Sequence, residues 1–405
     1  MFAISSLEQM LNYYIKNKIL VCYIQLDKMK QIKLNNKLKL IASESVGIGH
    51  PDKICDQIAD HVLENILKQD PNSHVACEVF ACNHLIIIGG EITTKGYIDI
   101  TQCVWDILLP LGYNENDFTI LSNINKQSEE IAAHVNKKNN KLGAGDIGVV
   151  YGYATNETPD YLPLPYVIAS KIIYEINKQT FAKKLPGANF DSKCQVVSFY
   201  DHNDHPIGID KIIISLQHKN DADLKKLFHK IRTQIIDKIV KSYNMNTDYE
   251  LVFNNGGSFV IGGPFGDTGL TGRKIMVDTY GTIGRHGGGA FSGKDYTKVD
   301  RTYAYFARYI AKNLVAAKYA DKMEIQFSFN IGSELPISLA VNCFGTNKIS
   351  LDKIYEIIRN KFDLSLTNIV KKFQMTKLEY SKFSVYGHFT EFYNKKPWEK
   401  LDAFN

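Results

Sequence analysis

Between residues 281 and 300 the chain reads GTIGRHGGGAFSGKDYTKVD, six glycines interleaved with Arg285, His286, Lys294 and Lys298. Glycine lacks the Cβ that keeps backbone N–H groups away from an anion, so a loop of this kind suits phosphate oxygens. Residues 288–294 satisfy the G-x-x-x-x-G-K spacing of a Walker A loop, but the next residue is Asp295. The Ser or Thr that would carry Mg²⁺ is missing, and a strand expected over 275–280 lies several residues upstream, so this is not a standard P-loop. A helix is expected after the loop, capped by Asp295 or Thr297, with Val299, Tyr303, Phe306, Ile310 and Leu314 as its apolar stripe. Its positive end adds to the attraction for phosphate.

Arginine usage points the same way. Six of the 48 basic residues are arginines, and Arg273, Arg285, Arg301 and Arg308 fall within one 36-residue stretch. A guanidinium fork grips phosphate oxygens bidentately as lysine cannot, so the cluster suggests an anion site.

A second constellation is SESVGIGHPDKICD at 43–56. His50, Asp52 and Lys53 stand where a loop enters a helix that has Pro51 at its first position. Asp52 suits Mg²⁺, a hard cation that takes one or two carboxylates plus phosphate oxygens. His50 suits donation to a phosphate or to a leaving oxygen. Glu78, Glu91, Asp146 and Asp191 stand beside expected strand ends, and each alone reads as a solvated or capping acid. Lys193 opens an apolar strand and needs a counter-charge such as phosphate. Phe259 alone reads as a core aromatic.

The elements that must position these groups alternate. Strands are expected at 38–42, 75–80, 84–88, 193–200 and 211–218, the last two as an antiparallel pair, with helices over 51–69 and 164–178. Residues 136–145 read as a surface loop. Two echoes suggest repeated units: an apolar run ending in Gly-Gly at 86–90 and 259–263, and Gly-Asp-x-Gly at 145–148 and 266–269.

At 405 residues the chain exceeds a single core and should hold two or three domains. Net charge is +5 with both signs interspersed, which gives no footing for nucleic-acid binding. The seven cysteines form no metal spacing and read as free thiols of a reducing compartment. No apolar run approaches a membrane span. Glu8 precedes any lysine, and residues 1–40 hold no arginine, so neither a secretory nor a transit segment is expected. The expected location is cytoplasmic.

Taken together, SES…GHPDK at 43–53, GGEITT at 89–94, KQS at 126–128 and GAGDIGVVYGYATNET at 143–158 resemble the S-adenosylmethionine synthetase family. FVIGGPFGDTGLTGRKI at 259–275, HGGGAFSGKD…KVDR at 286–301, and the late YGHF and PWEK extend that resemblance across residues 38–402. It implies an α+β fold of three pseudo-symmetric α/β subdomains, and formation of S-adenosylmethionine from ATP and L-methionine. The implied division is an extension at 1–38, an N-terminal domain at 39–129, a mobile active-site loop at 130–142, a central domain at 143–260 and a C-terminal domain at 261–405.

The resemblance also implies roles. His50, Lys193, Arg273 and Lys294 would be catalytic. The ATP set would add Asp191, Ser192, Ser258, Phe259, Asp267, Lys274, Arg285 and Ala290. Glu91, Gln127, Asp146, Asp267 and Lys298 would recognise methionine. Asp52 and Asp300 would hold two Mg²⁺ per site, and Glu78 one K⁺ per subunit. Active sites would lie between the subunits of a homodimer or a dimer of dimers, with no nucleic-acid or membrane partner. Gly47-Ile48 departs from the family's usual Ser-Glu, and Asn255 and Ser258 depart before Phe259. Ile48 and Ser258 are the basis of one rival, a catalytically impaired structural or regulatory subunit. The other rival is an ATPase or phosphotransferase built on 288–294, which Asp295 argues against.

Overall fold

The computed structural model describes residues 38–126 and 142–404. The extension up to residue 37, Gln127 and all of the expected loop 130–142 except Leu142 lie outside the described residues.

The strands are β1 (Lys39–Val46), β2 (His74–Cys82), β3 (Leu85–Thr93), β4 (Thr119–Asn125), β5 (Gly148–Thr155) and β6 (Ala188–Tyr200). After them come β7 (Pro206–His218), β8 (Glu250–Phe253), β9 (Gly269–Leu270), β10 (Lys322–Phe329) and β11 (Ser338–Asn342). They form three sheets ordered β4-β3-β2-β9, β1-β6-β7-β8 and β11-β10-β5. One long helix backs each sheet: Pro51–Gln69 on the first, Leu164–Phe181 on the second and Val299–Ala316 on the third. This is the expected α+β architecture in three similar layers.

The sheets do not follow the chain divisions expected from the sequence. The first division lends β1 to the middle sheet, the second lends β5 to the last sheet, and the third lends β9 to the first. The loan is cyclic, so no division completes its sheet alone. The expected antiparallel pair is β6 with β7, and β1 runs antiparallel on its other side.

Helix Pro51–Gln69 shows why the layers lock together. Ile54, Ile58, Val62, Leu63 and Ile66 are buried, as an amphipathic stripe requires. Asp52, Asp56, Asp60 and Glu64, spaced four apart and therefore aligned on one face, are buried as well. Each meets a distant segment: Asp52 accepts from Leu270 N–H and Asp56 from Gly272 N–H, both at 2.9 Å. Asp60 accepts from Gly293 N–H at 2.9 Å, and Glu64 from Ser381 Oγ at 2.7 Å. Buried carboxylates require such partners, so this ladder ties the C-terminal third onto the first helix.

Two local expectations are corrected. Residues 275–280 are not a strand: Ile275–Asp278 is a helical turn, with Asp278 N–H donating to Lys274 carbonyl at 2.9 Å. Side chains rather than a ladder hold it, since Lys53 Nζ meets Asp278 at 2.5 Å and Tyr166 Oη donates to Val277 carbonyl at 2.8 Å. Neither Asp295 nor Thr297 caps the helix Val299–Ala316. Lys298 stands at its N-cap, because Asp295 is committed to Val75 N–H and Thr297. Of the two echoes, the Gly-Gly run is a strand at 86–90 but irregular at 259–263. The Gly-Asp-x-Gly turn is structural: each opens a strand, and Asp146 and Asp267 each accept from the next residue's N–H.

Candidate active site

The charged residues assemble into two groups. The first surrounds a cavity of about 180 Å³ lined by His50, Asp191, Lys193, Phe259, Gly262 and Asp267. Alternation along β6 puts Asp191 and Lys193 on one face. Ser192 therefore points the other way. Its hydroxyl is buried beneath Gly47, where an added Cβ would stand 2.3 Å from it. The structure thus keeps the Ser192 side chain out of the cavity, and Ser258 is exposed outside the lining.

The far wall is the segment 259–267. Phe259 N–H donates to His218 Nε2 at 3.0 Å, and His218 N–H donates back to Phe259 carbonyl at 2.9 Å. Gly263 N–H donates to Asp191 Oδ2 at 2.8 Å. Gly263 has φ +60°, and an added Cβ would meet Tyr113 Oη at 1.9 Å, so only glycine fits there.

His50 is the N-cap of helix Pro51–Gln69, its Nδ1 accepting from Asp52 N–H at 3.2 Å. An accepting Nδ1 leaves the proton on Nε2, and that atom is buried with no partner among the described residues. Burial, then Lys274 and Lys193, depress its pKa to about 3, so the ring is a neutral donor. Asp52 meets Lys274 Nζ at 2.7 Å and Arg273 Nε at 3.6 Å. Burial alone would raise the Asp52 pKa, but the Lys274 ammonium and the Leu270 N–H hold it below the usual carboxylate value. Arg273, half exposed, also donates to Thr268 carbonyl. Asp191 is pushed up to about 6, chiefly by burial, and its Oδ1 has no partner among the described residues.

The second group gathers around the glycine loop. Residues 293–295 run antiparallel beside β2, through the Ala76–Lys294 bridge, Cys77 N–H to Gly293 carbonyl and Asp295 N–H to Val75 carbonyl. Lys294 Nζ meets Asp300 Oδ2 at 2.6 Å. A Cβ on Gly289 would stand 2.2 Å from Asp300, and one on Gly272 would stand 2.4 Å from Ala290 Cβ. Arg285 is exposed, its guanidinium 3.5 Å from Glu324. Lys298 reaches back to Asp295. Glu78 on β2 and Glu91 on β3 open to solvent, and desolvation raises Glu78 to about 6, against the charge of Lys294. Asp146 is exposed in its turn before β5.

The arginine cluster is half corrected. Arg273 and Arg285 are exposed, Arg273 beside Asp52 and Arg285 beside Glu324. Arg301 and Arg308 are fully buried, their forks closed on Asp60 and on Glu399. The residues missed in the sequence are Asp56, Asp60 and Glu64, whose i,i+4 spacing was the available signal. Glu324, the partner of Arg285, carried none.

Asp52 and Asp60 mark where the groups meet the first helix, eight residues or roughly 12 Å apart along its axis. Among the described residues no three His, Cys, Asp or Glu side chains converge as a metal cage.

Comparison with known proteins finds three family models in succession. The N-terminal domain of S-adenosylmethionine synthetase matches residues 38–137, the central domain 141–259 and the C-terminal domain 261–400. The chain is 53% identical to the S-adenosylmethionine synthase of Mycoplasmopsis pulmonis, over 90% of this chain and 96% of that one. It is 46% identical to that of Mycoplasma capricolum over 91% and 96%, and 46% identical to that of Mycoplasma pneumoniae over 89% and 93%.

Proposed function

The chain belongs to the S-adenosylmethionine synthetase family, and from that premise we propose how its residues divide the labour of a methionine adenosyltransferase. The activity joins ATP and L-methionine: sulfur attacks C5′, tripolyphosphate leaves, and hydrolysis then gives PPi and Pi. Sulfur needs no deprotonation, so the difficulty is the charge that develops on the leaving oxygen. Preorganised donors and cations meet that charge best in a desolvated site.

The observation that carries the assignment is His50. It is neutral, buried, and presents an unshared Nε2–H beside Lys193, in the cavity that Phe259 also lines. Adenine packs on Phe259, Asp191 and Asp267 accept from the nucleoside, and His50 donates to the oxygen leaving C5′. Lys193, Arg273 and Lys274 bind the phosphates from this group, and Arg285, Lys294 and the backbone near Ala290 bind them from the other. Glu91, Gln127, Asp146, Asp267 and Lys298 receive methionine, the acids matching its ammonium. Asp56, Asp60 and Glu64 hold both walls in register.

The family is one that uses metal ions, and the donor set fits a cation that arrives with ATP. Asp52 and Asp300 are single carboxylates already paired with lysines. Mg²⁺ takes one or two such oxygens and completes its shell with water and phosphate. We assign one Mg²⁺ to each and K⁺ to the open Glu78 carboxylate. Bound there, the ions supply neutralisation of polyphosphate charge.

The first group holds the aromatic and the free imidazole; the second holds the exposed acids and the glycine loop. Each is half of what the reaction requires, which supports a homodimer or dimer of dimers in which one protomer's first group faces its partner's second. No helix among the described residues is long and apolar enough to cross a membrane, and we place the enzyme in the cytoplasm.

The impaired-subunit reading finds no support. Ile48 packs at the edge of the middle core, and its N–H donates to Asn177. Ser258 lies outside the cavity lining, and neither residue displaces His50 or Lys193. The test incubates purified protein with ATP, Mg²⁺ and K⁺, with and without methionine. Methionine-dependent S-adenosylmethionine with equal PPi and Pi is expected. ATP consumption without methionine, or no turnover at all, overturns the reading.

A further inference from the structure

One histidine of the glycine loop has no role in the assignment above. His286 Nδ1 accepts from Gly288 N–H at 2.8 Å, two residues on. The same i→i+2 contact fixes His50, whose Nδ1 accepts from Asp52 N–H. In both rings the accepting Nδ1 leaves the proton on Nε2. In both, Nε2 is buried with no partner among the described residues.

A buried donor without an acceptor is destabilising, and the surroundings of His286 offer few ways to relieve that. The ring tilts against Phe291 at 5.6 Å between centroids. It borders a small pocket of about 10 Å³ with Val149, Tyr151, Gly287, Gly289 and Asp300. One Asp300 oxygen is held by Lys294. A Cβ on Gly287 would meet Val149 carbonyl at 1.7 Å, and one on Gly289 would meet Asp300. Glycine at both positions thus leaves room for about one oxygen atom beside the ring, since a cavity of 10–15 Å³ is roughly one water-sized probe.

We propose that His286 contacts substrate: its Nε2–H donates to an oxygen of the polyphosphate, at the Lys294–Asp300 end remote from His50, and it serves tripolyphosphate hydrolysis more than S-adenosylmethionine formation. In that step water oxygen bonds to phosphorus, the P–O bond to pyrophosphate breaks with its electron pair, and the proton of water passes to solvent. Donation to a non-bridging oxygen stabilises the added negative charge. This inference rests on the assignment of Lys294 and Asp300 to the phosphate site.

Two isosteres separate donation from a purely structural role. Asparagine places an acceptor where Nδ1 stands and keeps the Gly288 turn; glutamine places an N–H where Nε2 stands and forfeits that turn. The experiment assays the full chain and its His286→Asn and His286→Gln variants. It reads S-adenosylmethionine in a single turnover, hydrolysis of added tripolyphosphate, and tripolyphosphate accumulation by ³¹P NMR. His286→Asn should slow hydrolysis at least tenfold more than it slows S-adenosylmethionine formation and should accumulate tripolyphosphate, and His286→Gln should recover most of the loss. Equal slowing of both steps, hydrolysis at the parent rate in His286→Asn, or a loss that glutamine fails to recover overturns the inference. A parent enzyme that forms no S-adenosylmethionine defeats the proposed function instead.

Discussion

The Arg301 guanidinium closes on both carboxylate oxygens of Asp60, at 2.6 and 2.8 Å, with neither side chain exposed. The pair joins the first helix to the helix that follows the glycine loop. Asp60 also holds Gly293 N–H, and Arg301 donates to the carbonyls of Phe291 and Lys294. One buried ion pair therefore sets the position of the loop backbone from which Lys294 projects.

Breaking it should be costly. Removing one partner strands the other charge in a low-dielectric interior, typically at about 3–5 kcal/mol. Asp60→Ala and Arg301→Ala are each expected to lower the unfolding free energy, measured by urea titration, by that order. Replacing both, as Asp60→Leu with Arg301→Met, should recover much of the stability. A single variant as stable as the parent contradicts this account.

The two charges assigned to the first group should act on rate. Lys193 lies on the open face of β6 and lines the cavity with His50 and Asp191. Lys193→Ala is expected to lower kcat by ~10²–10³, the usual loss of one preorganised donor, with little change in melting temperature. Asp52→Asn, which retains an acceptor for Leu270 N–H, should likewise lose most turnover while remaining folded. Normal kcat in either variant removes that residue from the mechanism.

Asp191 gives a pH signature. Its pKa rises from 3.8 unfolded to about 6 folded, chiefly through burial. The folded state therefore binds this proton more tightly, and between those values it carries more protons than the unfolded chain. The contribution to stability is present below the unfolded value and is lost as pH rises through about 6. Asp191→Asn removes that loss, so its urea midpoint should gain on the parent's between pH 4 and 7. A constant difference across that range refutes the assignment.

Gly289 tests the loop. An added Cβ would stand 2.2 Å from Asp300 Cγ and 2.4 Å from both its oxygens. Gly289→Ala must displace Asp300, and with it the Lys294 ammonium. A shift of about 1 Å at such a site costs on the order of 10²-fold in rate. Overpacking should cost about 1–3 kcal/mol in stability. Steady-state kinetics beside a denaturation curve check both, and a parent-like kcat would show the loop tolerates the methyl group.

Much was legible in the chain because it depends on local rules. Pro51 and the spacing from Ile54 to Ile66 specify a helix. The alternation at 193–200 specifies a strand; the structure starts it earlier, at Ala188, and so puts Asp191 on the face of Lys193 and turns Ser192 away. The glycines of 281–300 specify backbone that other groups approach closely, and Gly287, Gly289 and Gly293 meet Val149, Asp300 and Cys77 at distances a Cβ would forbid. Residues 275–280 misled because a short apolar run fits a strand or a buried turn equally well, and Lys53 and Tyr166, remote in sequence, decided for the turn.

The sequence by itself determined the family, the reaction and the residue types the chemistry requires, since those reside in motifs whose spacing is local. Only the tertiary structure decided which arginines face solvent and which grip Asp60 and Glu399, because a guanidinium binds carboxylate and phosphate with the same fork. It alone divided the charges into two groups and lent β1, β5 and β9 to sheets outside their own divisions. Long-range pairing follows from burial of whole faces and from satisfaction of buried charge, and neither can be read from a residue's neighbours in the chain.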